Sequence, residues 1–197
     1  MNEDRIDLQS TETDENTFRK SAFYEQLVEH VFISEVLQEA WYRFGHTVEV
    51  LRAEVDASGY DVVLECNGFL RHVQLKTSRV GGKTARQNVN IALARKPSGC
   101  VIWIIREEDR SKYRMRLSYR FFGAEAGSPL PPLDDYKTAK HTKGNKHGVK
   151  SVRRAIRVVP IRYFTKINTT TELVARLFDF DFPVGDEPEP PSLNIHL

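Results

Sequence analysis

The chain has 197 residues, 40% hydrophobic and 28% charged, with a formal net charge of +2, which is enough to bury one good-sized core and most simply makes a single domain. No apolar run approaches the roughly 20 residues that a membrane span needs, and the acidic, polar start MNEDRIDLQSTETDEN is unlike a signal or transit peptide, so the expected setting is cytoplasmic, with no membrane. Cys66 and Cys100 lie in apolar runs without paired or metal-ligand spacing, which predicts small buried core residues rather than a disulfide or a zinc site.

In chain order, residues 1–17 read as a disordered acidic segment. FRKSAFYEQLVEHVFISEVLQEAWYRF, residues 18–44, has helical spacing and stops at Gly45. HTVEVLRAEV is strand-like, and GYDVVLECNGFLRHVQLKTS, residues 59–78, reads as two strands joined at Asn67-Gly68, the strongest short-range hairpin signal. NVNIALA alternates like a strand and is also compatible with a short helix. CVIWIIRE predicts a buried strand, and YRMRLSYRFFG its hairpin partner. AIRVVPIRYF adds an edge strand limited by Pro160, and TTELVARLF a short helix capped near Thr170 or Thr171. Trp41 and Trp103 sit in apolar runs and are expected in the core. The order predicts an α/β (α+β) fold, one domain over 18–182, with a Pro-rich acidic tail over 183–197 expected to be mobile.

Counting outward from the turn pairs Cys66 with Phe69, Glu65 with Leu70, Val63 with His72 and Asp61 with Gln74. Strand side chains alternate faces, so Gln74 and Lys76 share one face and Asp61 joins them: a carboxylate, an amide and an ammonium converge. Their neighbours Val62, Val63, Leu64, Val73 and Leu75 are apolar, and charges among buried side chains require a partner or a task. His72 lies nearer the turn and reads as a rim or core histidine, and Glu65 as solvated.

Charge is segregated along the chain. Residues 136–171 contain no Asp or Glu, while the basic segment 136–166 holds Lys137, Lys140, Lys143, Lys146, Lys150, Arg153, Arg154, Arg157, Arg162 and Lys166. A field of one sign is the footprint of polyanion binding. Lys140, Lys143, Lys146, Lys150, Arg153 and Arg154 are the residues expected to meet nucleic acid.

Helix, strand, Asp-bearing strand, tight turn, and a strand ending in Gln-x-Lys resemble the core of the PD-(D/E)XK nuclease superfamily, with its restriction-endonuclease-like fold. The spacing of Gly59-Tyr60-Asp61 to Gln74-Leu75-Lys76 also looks like that of archaeal Holliday-junction resolvases. The resemblance covers roughly residues 20–122. It implies a mixed central sheet flanked by helices and a magnesium-dependent (or manganese-dependent) endonuclease acting on DNA, and it leaves a homodimer open. It further implies that Asp61, Gln74 and a first-helix Glu hold the cation, while Lys76 positions or activates the attacking water. Glu35 continues the apolar line Tyr24-Val28-Val31 and is the preferred helix residue, ahead of Glu29 and Glu25. Gln74 stands where the family most often has Glu: an amide oxygen can coordinate magnesium but brings no charge. That departure supports two rival expectations, a catalytically decayed nucleic-acid-binding module and a nuclease-like subunit docking an acidic protein partner.

Overall fold

A computed structural model describes residues 4–52, 59–109, 111–141 and 150–181, with side chains from Ser21 onward. The first element, α1 (Asp4–Phe44), begins well before residue 18 and takes in the acidic segment expected to lack structure. Acidic residues in a first turn are favoured by the helix dipole, and Leu, Gln, Glu and Arg are good helix formers. Gly45 takes φ +71 and ends α1, its N–H donating to Trp41 O.

Six strands form the main sheet in the order β1-β2-β3-β5-β6-β9. They are β1 (Glu49–Arg52), β2 (Val62–Cys66), β3 (Phe69–Arg79), β5 (Gly99–Asp109), β6 (Arg114–Gly123) and β9 (Thr165–Ile167). All pairs are antiparallel except β3 with β5, where Gln74 stands opposite Val101 and Lys76 opposite Trp103. The β2–β3 hairpin has the register counted from the turn, with Cys66 opposite Phe69 and Val63 opposite His72. Asn67 and Gly68 both take positive φ, 50 and 81, as a type I′ turn requires. Glu65 accepts from the Gly68 N–H and so serves the turn.

A second, three-stranded sheet runs β4-β8-β7, from β4 (Arg86–Asn90), β7 (Lys137–Lys140) and β8 (Val152–Pro160). The stretch that read as either strand or helix is both in succession: β4 ends at Asn90, whose side chain accepts from Ala92 N and caps a 3-10 turn over Ile91–Arg95. The strand expected at a sheet edge is instead the middle strand of this second sheet. Pro160 is tolerated because it is the last residue of β8. α2 (Thr170–Phe178) is capped by Thr169, one residue earlier than expected, whose hydroxyl accepts from Glu172 N.

The main sheet is therefore the middle of three layers. On one face α1 supplies Val28, Phe32, Val36 and Ala40 and α2 supplies Leu173, Val174, Leu177 and Phe178, against Val62, Leu64, Val73, Ile102 and Ile104. On the other, Val89, Leu93 and Val159 of the second sheet and its 3-10 turn pack with Val101, Trp103, Phe122 and Phe164. Trp103 is buried as expected, but Trp41 is 57% exposed: the buried line of α1 runs through residues 28, 32, 36 and 40, and residue 41 turns about 100° away from it. Cys66 and Cys100 are buried and free. No described helix is long and apolar enough to cross a membrane. Lys143, Lys146, the residues expected in a mobile tail, and the end of the strand-like run after Arg52 lie outside the described residues.

Candidate active-site cleft

β2 stops pairing at Val62, opposite Val73, while β3 continues to Arg79. Beyond Val73, β3 has a bare edge on that side, with backbone groups that need partners. Asp61 fills this need. Its N–H donates to Val73 O at 2.9 Å, and its carboxylate Oδ2 accepts from Leu75 N at 2.6 Å. The preceding Gly59 takes φ +77, and a Cβ there would come within 2.8 Å of the Asn90 Cβ, so only glycine lets this segment lie against β4.

A cavity of about 490 Å³ opens at that edge, lined by Asp61, Leu75, Lys76, Thr77 and Ile104 from the sheet side and by Ala22, Glu25, Gln26 and Glu29 from α1. It lies at the carboxyl ends of the parallel pair β3 and β5, where open α/β sheets characteristically place ligands. Lys76 is half-buried, and Glu29 forms an ion pair with Arg52 of β1 at 3.1 Å. Asp61, Glu25, Glu29 and Lys76 thus line one cleft.

Of the residues expected to converge, Asp61 and Lys76 meet there and Gln74 does not. Gln74 is 5% exposed, and its Oε1 accepts from Asn90 N at 3.3 Å. The reason is local: β4 ends beside Gln74, and the buried amide oxygen takes the available Asn90 N–H. Glu35 is elsewhere too. Its Oε2 accepts from Tyr119 OH and from Thr170 Oγ1 at 3.3 Å, wedged between α1, β6 and the start of α2. Burial, followed by the Glu35 charge, holds the Tyr119 hydroxyl far above its usual range. One turn on, Glu39 repeats the arrangement with Thr171 and Arg43. The helix carboxylates that face the cleft are Glu29 and Glu25.

The cation ligands expected from the resemblance, Asp61, Gln74 and Glu35, are consequently not a gathered set. Among the described residues no three His, Cys, Asp or Glu side chains stand close enough to hold a metal ion by themselves. Magnesium requires less: one or two carboxylates, completed by water and substrate phosphate oxygens. The hard oxygen donors of Asp61 and Glu29, with Glu25 beside them, fit that need.

His72 behaves as expected of a rim residue. Its Nδ1 donates to Pro97 O at 2.8 Å, its ring meets Tyr60 edge to face, and burial lowers its pKa. Among the residues expected to meet nucleic acid, Lys140 ends β7 opposite Val152, Arg153 pairs with Ala139, and Lys140, Lys150, Arg153 and Arg154 are all exposed. Residues that sequence reasoning missed include Tyr24, Thr77, Ser78 and Arg106, which line a second cavity of about 390 Å³ beside the first. The signal was present for β3 alone, since Thr77 and Ser78 simply follow Lys76 in sequence; Arg106 required knowing that β5 runs parallel to β3.

Comparison with protein-family models, with curated proteins and with solved structures finds no match to this chain.

Proposed function

We propose that this protein is a divalent-metal-dependent nuclease with a restriction-endonuclease-like fold, hydrolysing phosphodiester bonds in DNA at the cleft between α1 and the open edge of β3. The observation that carries the reading is the meeting of Asp61 and Lys76 with Glu25 and Glu29 in one cavity. The order α1, β1, Asp61, tight turn, β3 with Gln74-Leu75-Lys76, then buried β5 supports the family resemblance. Asp61 and Glu29 would hold magnesium or manganese, which supplies charge stabilisation for the phosphoryl oxygens. Glu29 would exchange its Arg52 partner for the cation. Asp61 is oriented by the Leu75 N–H, which fixes its carboxylate. Lys76 brings an ammonium to a half-buried site, where it stabilises the negative charge that develops on a phosphate during hydrolysis far better than it would in water. The exposed lysines and arginines at the β7–β8 flank would neutralise DNA phosphates away from the chemistry.

One observation favours a second reading, a nuclease-like module that binds nucleic acid without cleaving it. Gln74 brings no charge, and its amide oxygen is already engaged by Asn90. Incubation of the full chain with end-labelled duplex, branched and single-stranded DNA, in magnesium, manganese or EDTA, separates the two. The nuclease reading requires products that appear with the metals and vanish in EDTA. Metal-independent binding with no products in any lane assigns the chain to the second reading.

A further inference from the structure

The cavity at Asp61 and Lys76 does not end at Thr77. Glu25 and Thr77 line both it and the neighbouring cavity of about 390 Å³, whose other walls are Ser21, Tyr24, Val28, Ser78 and Arg106. The two form one groove along the seam between α1 and the carboxyl ends of β3 and β5. Its far end is rich in hydrogen-bond donors and holds a fixed cation. Arg106 Nη1 donates to Tyr24 OH at 2.9 Å and to Glu108 Oε1 at 3.1 Å, and Tyr24 OH donates to the same Glu108 oxygen at 2.7 Å. The guanidinium also lies over the Tyr24 ring, 4.3 Å from its centre. Both hydrogen bonds use Nη1; among the described residues Nε and Nη2 make none. An arginine stacked on an aromatic ring with part of its fork open is pre-organised for a phosphate. Ser78 Oγ accepts from Trp103 Nε1 at 2.9 Å on the other face of β3, so Thr77 is the β3 hydroxyl on the side of Arg106.

Resting on the nuclease reading, we infer that Arg106, with the hydroxyl of Thr77, forms a second phosphate subsite that grips the same nucleic-acid strand beyond the scissile position. The spacing fits. Lys76 lies opposite Trp103 in the parallel ladder, and Arg106 is three residues further along β5, roughly 10 Å at the usual strand rise. That is one to two phosphate-to-phosphate steps along a strand, each longer than the roughly 3.4 Å axial rise because the backbone winds around the axis. Glu25, where the cavities join, repels phosphate at the midpoint and separates the two subsites. Arg106 is thus a positioning residue: it sets where the strand lies and leaves the reacting phosphate to Asp61 and Lys76.

The test is a length series of fluorescent single-stranded oligodeoxynucleotides, from two to eight nucleotides, bound in EDTA to the full chain and followed by anisotropy. For the wild type, affinity should step up at about three to four nucleotides, the length that reaches both ends of the groove. Arg106→Gln should lose that step, about tenfold in affinity, and should flatten the salt dependence of the longer oligonucleotides by about 0.7 in log–log slope. Arg106→Lys should restore part of it, because charge without the fork is retained. A length profile identical in wild type and Arg106→Gln, an equal loss at every length, or no binding by the wild type overturns the subsite. Cleavage is scored separately with magnesium. A chain that shows the step yet cuts nothing loses the nuclease reading and keeps the subsite.

Discussion

β3 carries two cations five residues apart whose surroundings could hardly differ more. Arg71 is 0% exposed. Its Nη1 donates to Ser98 Oγ at 2.8 Å and to Glu125 O at 3.1 Å, its Nη2 to Ala124 O at 3.0 Å and Arg176 O at 3.3 Å, and it lies over the Phe121 ring. The guanidinium ties the hairpin to the loop after β6 and to the carboxyl end of α2, where unpaired carbonyls attract positive charge. Nothing of it is left over for a ligand except Nε, which is buried and has no partner among the described residues. Lys76 is half-buried, and among the described residues it makes no ion pair. One charge is consumed by the fold; the other lines an open cleft with Asp61, Glu25 and Glu29. The contrast teaches that burial alone does not mark a functional charge on this strand. What distinguishes Lys76 is that its neighbours form a cavity.

The largest stability effect should follow from Arg71→Met. Removing the guanidinium leaves three carbonyls and a serine hydroxyl without their donor, a loss of about 3–5 kcal/mol, or about 10 °C in melting temperature for a chain of this size. Thermal unfolding checks this. A loss below about 1 kcal/mol would mean that water enters and satisfies the loop, and the comparison would lose its structural half.

Exchanging carboxylates along α1 sharpens the other half. Glu29→Gln should lower metal-dependent cleavage by at least tenfold with little change in melting, because Glu29 lines the cleft and its ion-pair partner Arg52 is half exposed. Glu35→Gln should do the reverse. It keeps an oxygen for Tyr119 but loses the charge, at about 1–2 kcal/mol of stability, with cleavage within twofold of wild type. Equal effects of both variants on cleavage would contradict the assignment of Glu29 to the site and Glu35 to the scaffold.

Alkaline pH tests the burial of β5. Burial pushes the Cys100 thiol from its ordinary value of 9.0 up to about 11. Because the folded-state pKa is raised, the unfolded chain releases this proton first. The contribution is fully present below about pH 9 and is lost as pH rises through about 11, at most about 3 kcal/mol. Cys100→Ala should therefore show a shallower fall of urea midpoint between these limits. Tyr119, raised further still, begins to add to the same fall above pH 10. Identical slopes in wild type and variant would show that Cys100 is solvated.

The smallest effect concerns the exposed basic flank. Replacing Lys140, Lys150, Arg153 and Arg154 together by Gln should leave melting within about 0.5 kcal/mol while flattening the salt dependence of DNA binding by about 0.9 for each phosphate no longer neutralised. An unchanged slope would remove the β7–β8 flank from the binding surface.

How much of this could be read in the sequence depends on the range of the physics involved. The hairpin register was legible to the residue, because Asn67-Gly68 fixes the turn and the turn fixes the pairing. Asp61 and Lys76 followed from that register. The fate of Gln74 was not legible: the N–H that engages it belongs to Asn90, on a strand held in place by β8, some 70 residues further along the chain. The position of Glu35 was hidden for a related reason. Helical periodicity shows which residues lie near a core, but whether a carboxylate there meets Tyr119 and Thr170 or an open cleft depends on where α2 docks. The second sheet was missed as a sheet because its three strands are separated by β5, β6 and long loops.

The central claim, that the charge at Lys76 acts on phosphate while the charge at Arg71 acts on the fold, is tested most directly by the cleavage rate of Lys76→Met in magnesium, measured beside its melting temperature and its DNA affinity. Cleavage should fall by a factor on the order of 10²–10³, with melting unchanged or slightly raised and affinity within about threefold of wild type. Cleavage at the wild-type rate by a folded Lys76→Met chain would contradict it.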